Sequence, residues 1–259
     1  MAEVTKYPHG TFCWTELGAA DPPAAQRFYA ALFGWTHVDG PNVGGARILQ
    51  SGERDVAGIR GRLRDDEAHW LAHVSVDDLE LTVALVNAAG GELIAAPLDV
   101  GEAGRRAIIR DPSGAPLALW EPRGRIGAGR YGEVGAPCWF ELATRDTAAA
   151  AAFFHAVFGW DADTQPLGNT EYTNFKRKGE TVAGMIKMTP EWGELPPRWM
   201  VYFQVAACPA TMTKTEALGG KVLYGPLEAA GLGRFAVLQD PQGVAFSVIE
   251  TYDDDAPAG

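Results

Sequence analysis

The sequence predicts an α+β fold made of two similar halves in tandem, each a set of strands with helices on one face. Three observations predict it. Gly10-Thr-Phe-Cys-Trp-Thr-Glu-Leu17 returns as Gly135-Ala-Pro-Cys-Trp-Phe-Glu-Leu142, with Gly, Cys, Trp, Glu and Leu in the same order and spacing. Helix starts and stops recur at matching places behind each copy. Each copy then closes on an Asp-Pro-x-Gly turn, Asp111 to Gly114 and Asp240 to Gly243. A self-similarity this long is a duplicated module.

The elements follow in order. Phe12 to Leu17 alternates like a strand. Asp21 with Pro22-Pro23 supplies an N-cap and first-turn prolines, Ala24 to Leu32 has helical spacing, and Gly34 stops it. Asp146, Ala148 to Val157 and Gly159 repeat this. Pro41 to Gly45 reads as loop, and Ala46 to Gln50 with Asp55 to Ile59 as two strands. Their counterparts are Glu171 to Lys176 and Thr181 to Met188. Leu63 to Glu67 and Thr189 to Pro197 read as loops. Trp70 to Val76 and Trp199 to Val205 are strands, each leading to a second helix, Leu79 to Ala89 and Ala210 to Leu218. Two strands on either side of each Asp-Pro-x-Gly turn end each half: Arg105 to Ile109 with Pro116 to Glu121, and Arg234 to Leu238 with Ala245 to Glu250. Each half thus holds two βαββ-like units. The divisions are a first module over 1–121, a Gly/Arg-rich linker over 122–134, a second module over 135–252, and an acidic tail over 253–259 expected to be disordered.

Composition narrows the partners. A net charge of −11 and a pI near 4.9 argue against nucleic acid or an anionic membrane as partner. Three cysteines, two at equivalent positions (Cys13, Cys138), suit buried thiols in a reducing compartment, not a disulfide framework. With no signal-peptide pattern and no membrane-length apolar run, the expectation is a cytoplasmic protein, monomeric by default with a homodimer left open.

These residues carry a resemblance. The layout, the Asp-Pro-x-Gly turns, Val56-Ala57-Gly58 with Val182-Ala183-Gly184, and the Phe28-Tyr29 and Phe153-Phe154 helices resemble the vicinal oxygen chelate superfamily. That superfamily includes glyoxalases, antibiotic-resistance proteins and extradiol dioxygenases. The chain is similar to its tandem actinobacterial type, labelled glyoxalase/bleomycin-resistance protein or hydroxylase. The resemblance implies paired βαβββ modules, helices outside, whose curved sheets form half-open barrels around cavities. It also implies divalent-metal ligands at fixed strand positions. Those positions fall on Trp14, Leu71 and Ala118 in the first half and on Trp139, Met200 and Ser247 in the second. None of these is a ligand for a cation that wants imidazole or carboxylate, so no metal and no other cofactor is expected.

Alternation places Glu16 beside Trp14, His73 beside Leu71, Glu141 beside Trp139 and Tyr202 beside Met200 on the cavity faces. One cavity then offers Glu16 with His73, the other Glu141 with Tyr202; Glu121 completes a metal triad only by leaving its strand-end place. A buried carboxylate needs a partner. Either a guest in an aromatic-walled pocket supplies it, or Arg105 and Arg234 do so as structural salt bridges. Cys13 and Cys138 are expected on the helix-facing side. The expected function is binding of a hydrophobic or aromatic metabolite or antibiotic, without metal. The alternative is a lyase, isomerase or oxygenase using Glu16 and His73, with or without a divalent metal.

Overall fold

A computed structural model describes residues 4–40, 46–62, 69–229 and 231–252. The loop expected at Pro41 to Gly45, that at Leu63 to Glu67 and the acidic tail lie outside the described residues. The first half runs β1 (Thr11–Ala19), α1 (Pro22–Phe33), β2 (Thr36–Asp39), β3 (Arg47–Ser51), β4 (Arg54–Gly61), β5 (His69–Ser75), α2 (Leu79–Ala88), β6 (Glu92–Asp99), β7 (Gly104–Arg110) and β8 (Pro116–Pro122). The second half repeats it as β9 (Pro137–Thr144), α3 (Thr147–Phe158), β10 (Asp161–Leu167), β11 (Thr170–Arg177), β12 (Glu180–Lys187), β13 (Arg198–Gln204), α4 (Cys208–Ala217), β14 (Lys221–Ala229), β15 (Gly233–Gln239) and β16 (Ala245–Thr251).

Each half is one eight-stranded sheet, in the orders β2-β3-β4-β1-β5-β8-β7-β6 and β10-β11-β12-β9-β13-β16-β15-β14. The outermost strands β2, β6, β10 and β14 turn each βαββ-like unit into a βαβββ unit, two per half. They escape a reading by alternation because an edge strand in water needs none. All four residues of β2 are exposed, and β6, β10 and β14 carry Pro97, Pro166 and Pro226, which edges tolerate.

Local chemistry fixes the helices and turns. Asp21 Oδ1 accepts from the Ala24 amide at 3.0 Å and Asp146 Oδ1 from the Ala149 amide at 2.9 Å, so both carboxylates cap free N–H groups. In the closing turns Asp111 Oδ1 accepts from the Ser113 and Ala115 amides, and Asp240 Oδ1 from those of Gln242 and Val244.

The helices cover the outer face of each sheet and meet between the halves, giving one continuous core. Phe12 stacks on Phe140 at 4.2 Å, Trp70 packs on Phe203 at 5.1 Å, and Tyr29 packs on Phe246 at 5.4 Å. The repeated Gly and Trp positions bind the halves reciprocally: Trp35 Nε1 donates to the Gly135 carbonyl at 2.7 Å, and Trp160 Nε1 to the Gly10 carbonyl at 2.8 Å. Trp70 and Trp199 are buried in this core. The other face of each curled sheet points away from it, and that is where the candidate sites lie.

Candidate functional site

Strand β1 serves both faces. Phe12 and Leu17 enter the shared core, while Trp14 and Glu16 line a pocket in the hollow of the first sheet. Cys13 is the bulged residue, since the pairing with β5 steps from Phe12↔Val74 to Trp14↔His73. The bulge corrects the expected alternation: Cys13 packs with Tyr7 and Trp120, not on the helix side. Its Sγ donates to the His73 carbonyl at 3.6 Å, and burial pushes its thiol far up. Cys138 behaves alike, donating to the Tyr202 carbonyl at 3.4 Å with its thiol pushed up to about 12 by burial. Neither is a nucleophile near neutrality.

The pocket is an open-mouthed hollow with a cavity volume of about 80 Å³. Its walls are the indoles of Trp14 and Trp120 with Ala46, Ile48, Val100 and Ala103. Its polar end is a cluster. Glu16 Oε2 accepts from Arg60 Nε on β4 and from Arg106 Nη1 on β7, each at 2.9 Å. His73, 2% exposed, presents its ring on β5. Its Nδ1 lies 3.1 Å from the Leu71 carbonyl and is assigned as the donor, which leaves Nε2 as the acceptor nitrogen. Burial lowers the His73 pKa to about 4, against a smaller opposing pull from Glu16, so the ring is neutral at pH 7.

The stretch expected as a linker forms part of this pocket. It runs back over the first sheet, where the Ala128 amide donates to the Cys13 carbonyl at 2.8 Å and the Gly129 amide to the Asp55 carbonyl at 2.7 Å. Gly127, at φ +128, passes so close to Cys13 that a Cβ would strike its carbonyl. This strap brings Arg125 and Gly127 into the lining. Arg125 Nη2 lies 3.2 Å from Asp55 Oδ2, and the Arg125 carbonyl accepts from Trp120 Nε1 at 2.9 Å.

The second half keeps the carboxylate and changes its company. Glu141, 7% exposed, accepts from the Tyr202 hydroxyl at 3.1 Å and also from the Tyr172 hydroxyl, which itself accepts from Trp139 Nε1 at 3.1 Å. With no cation beside it among the described residues, burial raises the Glu141 pKa to about 7. Strand register shows the replacements: Ala46 by Tyr172, Arg60 by Ile186, His73 by Tyr202, Arg106 by Phe235, and Ala118 by Ser247. Gly58 and Gly184 make room for the indoles. A Cβ on Gly58 would meet Trp14 Nε1 at 3.3 Å, and one on Gly184 would strike the Tyr172 hydroxyl.

Of the residues expected at the cavities, Trp14, Glu16 and His73 do line the first pocket. Leu71 and Ala118 are buried with Ile108 in a small apolar cluster and are absent from that lining. In the second half Trp139, Glu141 and Tyr202 join one hydrogen-bonded group, Ser247 is buried beside Tyr202, and half-buried Met200 pairs with Glu141 across the strands. The salt bridges expected from Arg105 and Arg234 to the two glutamates are corrected. Arg105 pairs with Glu80 and lies 3.8 Å from Glu121, and Arg234 pairs with Glu228 at 3.0 Å. The residue one along, Arg106, faces the hollow, because neighbours on a strand point oppositely. Glu121 accepts from the Leu79 amide at 2.8 Å, capping α2 away from the pocket. Sequence reasoning missed Arg60, Arg106, Arg125, Trp120 and Tyr172.

The donor set does not fit a divalent metal. The pocket offers one carboxylate and one imidazole, and two guanidiniums already occupy that carboxylate. Among the described residues the one acidic group with metal-like spacing, Asp78, Glu80 and Glu121, is spent on capping α2 and pairing Arg105.

Known proteins share this architecture. The model of the Glyoxalase-like domain matches residues 14–120 and again 139–249. The chain belongs to this glyoxalase-like family. The candidate glyoxylase CFP32 of Mycobacterium bovis is 35% identical over 96% of the chain and 98% of its own length. The anthracycline biosynthesis protein DauV of Streptomyces sp. strain C5 is 34% identical over 95% of each. The Mn(II)-bound glyoxalase of Novosphingobium aromaticivorans superposes with a TM-score of 0.67 at 16% identity, covering 96% of this chain and 86% of that one. The 2,3-dioxygenase LapB of Pseudomonas sp. KL28 does so with a TM-score of 0.66 at 18% identity and 96% of each chain. These place the fold of this glyoxalase-like protein in the vicinal oxygen chelate superfamily, as the repeat and its turns imply. Among the described residues no helix is long and apolar enough to cross a membrane.

Proposed function

We propose that this glyoxalase-like protein binds a flat, largely aromatic small molecule in its first half, and does so without a metal. One observation carries the reading: a pocket walled by Trp14, Trp120 and Ile48 ends in Glu16 held between Arg60 and Arg106. Aromatic walls with a few convergent polar groups suit a planar guest with one polar end. The anthracycline biosynthesis named for DauV is compatible with a guest of this kind.

The same cluster favours binding over proton transfer. His73 at about 4 is a weak base at pH 7, and Glu16 already accepts two charge-assisted hydrogen bonds. The second half, with Tyr172 and Tyr202 on its carboxylate, is read as the structural partner.

The test is native mass spectrometry of freshly purified protein with elemental analysis of the same sample, followed by titration of planar aromatics against tryptophan emission. The reading expects one guest per chain, no stoichiometric metal, and quenching that falls away in Trp14→Leu but persists in Trp139→Leu. Equal loss in both variants, or one divalent ion per chain, overturns it.

A further inference from the structure

We infer that the first-half pocket takes its guest as a phenol, seated where the Tyr172 side chain sits in the second half, its hydroxyl bridging Trp14 Nε1 and Glu16 Oε1. This rests on the reading above that the pocket holds a flat aromatic molecule, and it names the polar group that molecule carries.

The second half shows the arrangement complete. Trp139 Nε1 can only donate, so the Tyr172 hydroxyl oxygen accepts from it at 3.1 Å and gives its own proton to Glu141. A phenol thus stands between an indole N–H and a buried carboxylate and satisfies both.

The first half keeps the two ends and lacks the middle. Glu16 and Glu141 pair across their strands with Gly58 and Gly184, and the indole nitrogens hold the same place against those glycines. A Cβ on Gly58 would lie 3.3 Å from Trp14 Nε1, and one on Gly184 would lie 3.0 Å from Trp139 Nε1. The point beside Gly58 is also 3.3 Å from Glu16 Cγ, so indole and acid border one space. Strand register puts Ala46 where Tyr172 stands, and Ala46 lines the pocket with no ring and no hydroxyl. Among the described residues nothing accepts from Trp14 Nε1. Nothing among them donates to Glu16 Oε1 either, since Arg60 and Arg106 both bond Oε2. Trp14 and Glu16 line the pocket, and Glu16 is 8% exposed. One hydroxyl satisfies such a pair, because its O–H donates while its oxygen accepts.

The remaining neighbour points the same way. Tyr202 gives Glu141 a second proton at 3.1 Å. His73, in the place of Tyr202, spends its Nδ1 on the Leu71 carbonyl and keeps only an accepting Nε2, so it gives Glu16 none. This end of the pocket therefore holds two acceptors in want of a proton. An aryl hydroxyl supplies one; an ether in the same place brings an oxygen and no proton.

The test compares 2-naphthol with 2-methoxynaphthalene, in which a methyl group replaces the proton, by isothermal titration calorimetry of the full chain at pH 7. The expected result is a preference for the naphthol of about tenfold, the size of one hydrogen bond to a charged group. Ala46→Tyr installs the phenol on the chain itself and should exclude both probes. Equal affinity of the two probes, or tighter binding of the ether, overturns the phenol and leaves the aromatic pocket standing. Binding of neither probe overturns both. Undiminished binding of 2-naphthol in Ala46→Tyr overturns the equivalence with Tyr172, and the inference with it. Should Ala46→Tyr fail to fold, Glu16→Gln is read in its place. There the guanidiniums hold the amide oxygen, the amide NH2 faces the guest, and the preference for the naphthol should vanish; a preference kept overturns the inference.

Discussion

Glu16 and Glu141 hold the same place in the two halves, each paired across its strand with the glycine of a Val-Ala-Gly tripeptide. Both are buried, at 8% and 7% exposure. What satisfies them differs: two guanidiniums in one half, two phenols in the other. The difference teaches that this sheet sets where an acid is buried, and neighbouring strands decide which groups satisfy it. A cationic surround leaves a pocket fit for a polar guest; a phenolic one closes on itself.

The largest effects should come from the same substitution made in both halves. Glu16→Gln removes the carboxylate on which Arg60 and Arg106 converge and should cost about 3 kcal/mol. Glu141→Gln should instead raise stability at pH 8, by up to about 3 kcal/mol. The sign follows from the raised acid. Its folded value near 7 exceeds the ordinary 4.5, so the folded state holds the proton more tightly and stability declines as pH rises through that window. His73 acts oppositely. Its folded value near 4 lies below the ordinary 6.5, so stability is lost as pH falls between them. Over their overlap the two slopes oppose. Urea midpoints against pH should be nearly flat from these groups in the native chain, rise with pH in Glu141→Gln, and fall with pH in His73→Gln. Parallel curves for all three would break the comparison.

The glycines sharpen it. Gly184→Ala places a methyl against the Tyr172 hydroxyl, which is tied to both Trp139 and Glu141, and should cost about 2 kcal/mol. Gly58→Ala meets Trp14 Nε1 and Glu16 Cγ at 3.3 Å, an approach a small shift relieves, and should cost under about 1 kcal/mol. Thermal melts of the two variants decide; a larger loss at Gly58 contradicts the picture of a more open first half.

Much of this was legible in the chain. The repeat announced the pseudo-symmetry, the capping aspartates placed α1 and α3, and alternation put Trp14, Glu16 and His73 in one hollow. The guanidiniums were not legible, because alternation says which face a residue takes and not which distant strand lies beside it. Arg60 and Arg106 stand 44 and 90 positions from Glu16. The strap was hidden for a different reason. Glycine and arginine between two repeats read as a connector, and the closeness of Gly127 to the Cys13 carbonyl, with the amide bonds of Ala128 and Gly129, reveals it as a wall. Bulging at Cys13 likewise breaks the period on which the face assignment of that thiol depended.

A smaller asymmetry lies between the halves. Trp70 Nε1 donates to the Tyr29 hydroxyl at 3.1 Å, and that hydroxyl donates across to Asp240 Oδ2 at 3.2 Å. The repeat places Phe154 where Tyr29 stands, Trp199 where Trp70 stands, and Asp111 where Asp240 stands. On that side Trp199 Nε1 and Asp111 Oδ2 are buried without partners among the described residues, since phenylalanine brings no hydroxyl to join them. Phe154→Tyr should therefore complete the second chain of hydrogen bonds and stabilise by about 1 kcal/mol, a rise of roughly 2–4 °C in Tm. Tyr29→Phe should remove the first chain and cost a little more, because it leaves two buried groups unpaired at once. Because the two changes act on opposite sides of the shared core, the double variant should return close to the parent. A loss of stability in Phe154→Tyr would mean that the pseudo-symmetry of the backbone does not extend to the space around this ring.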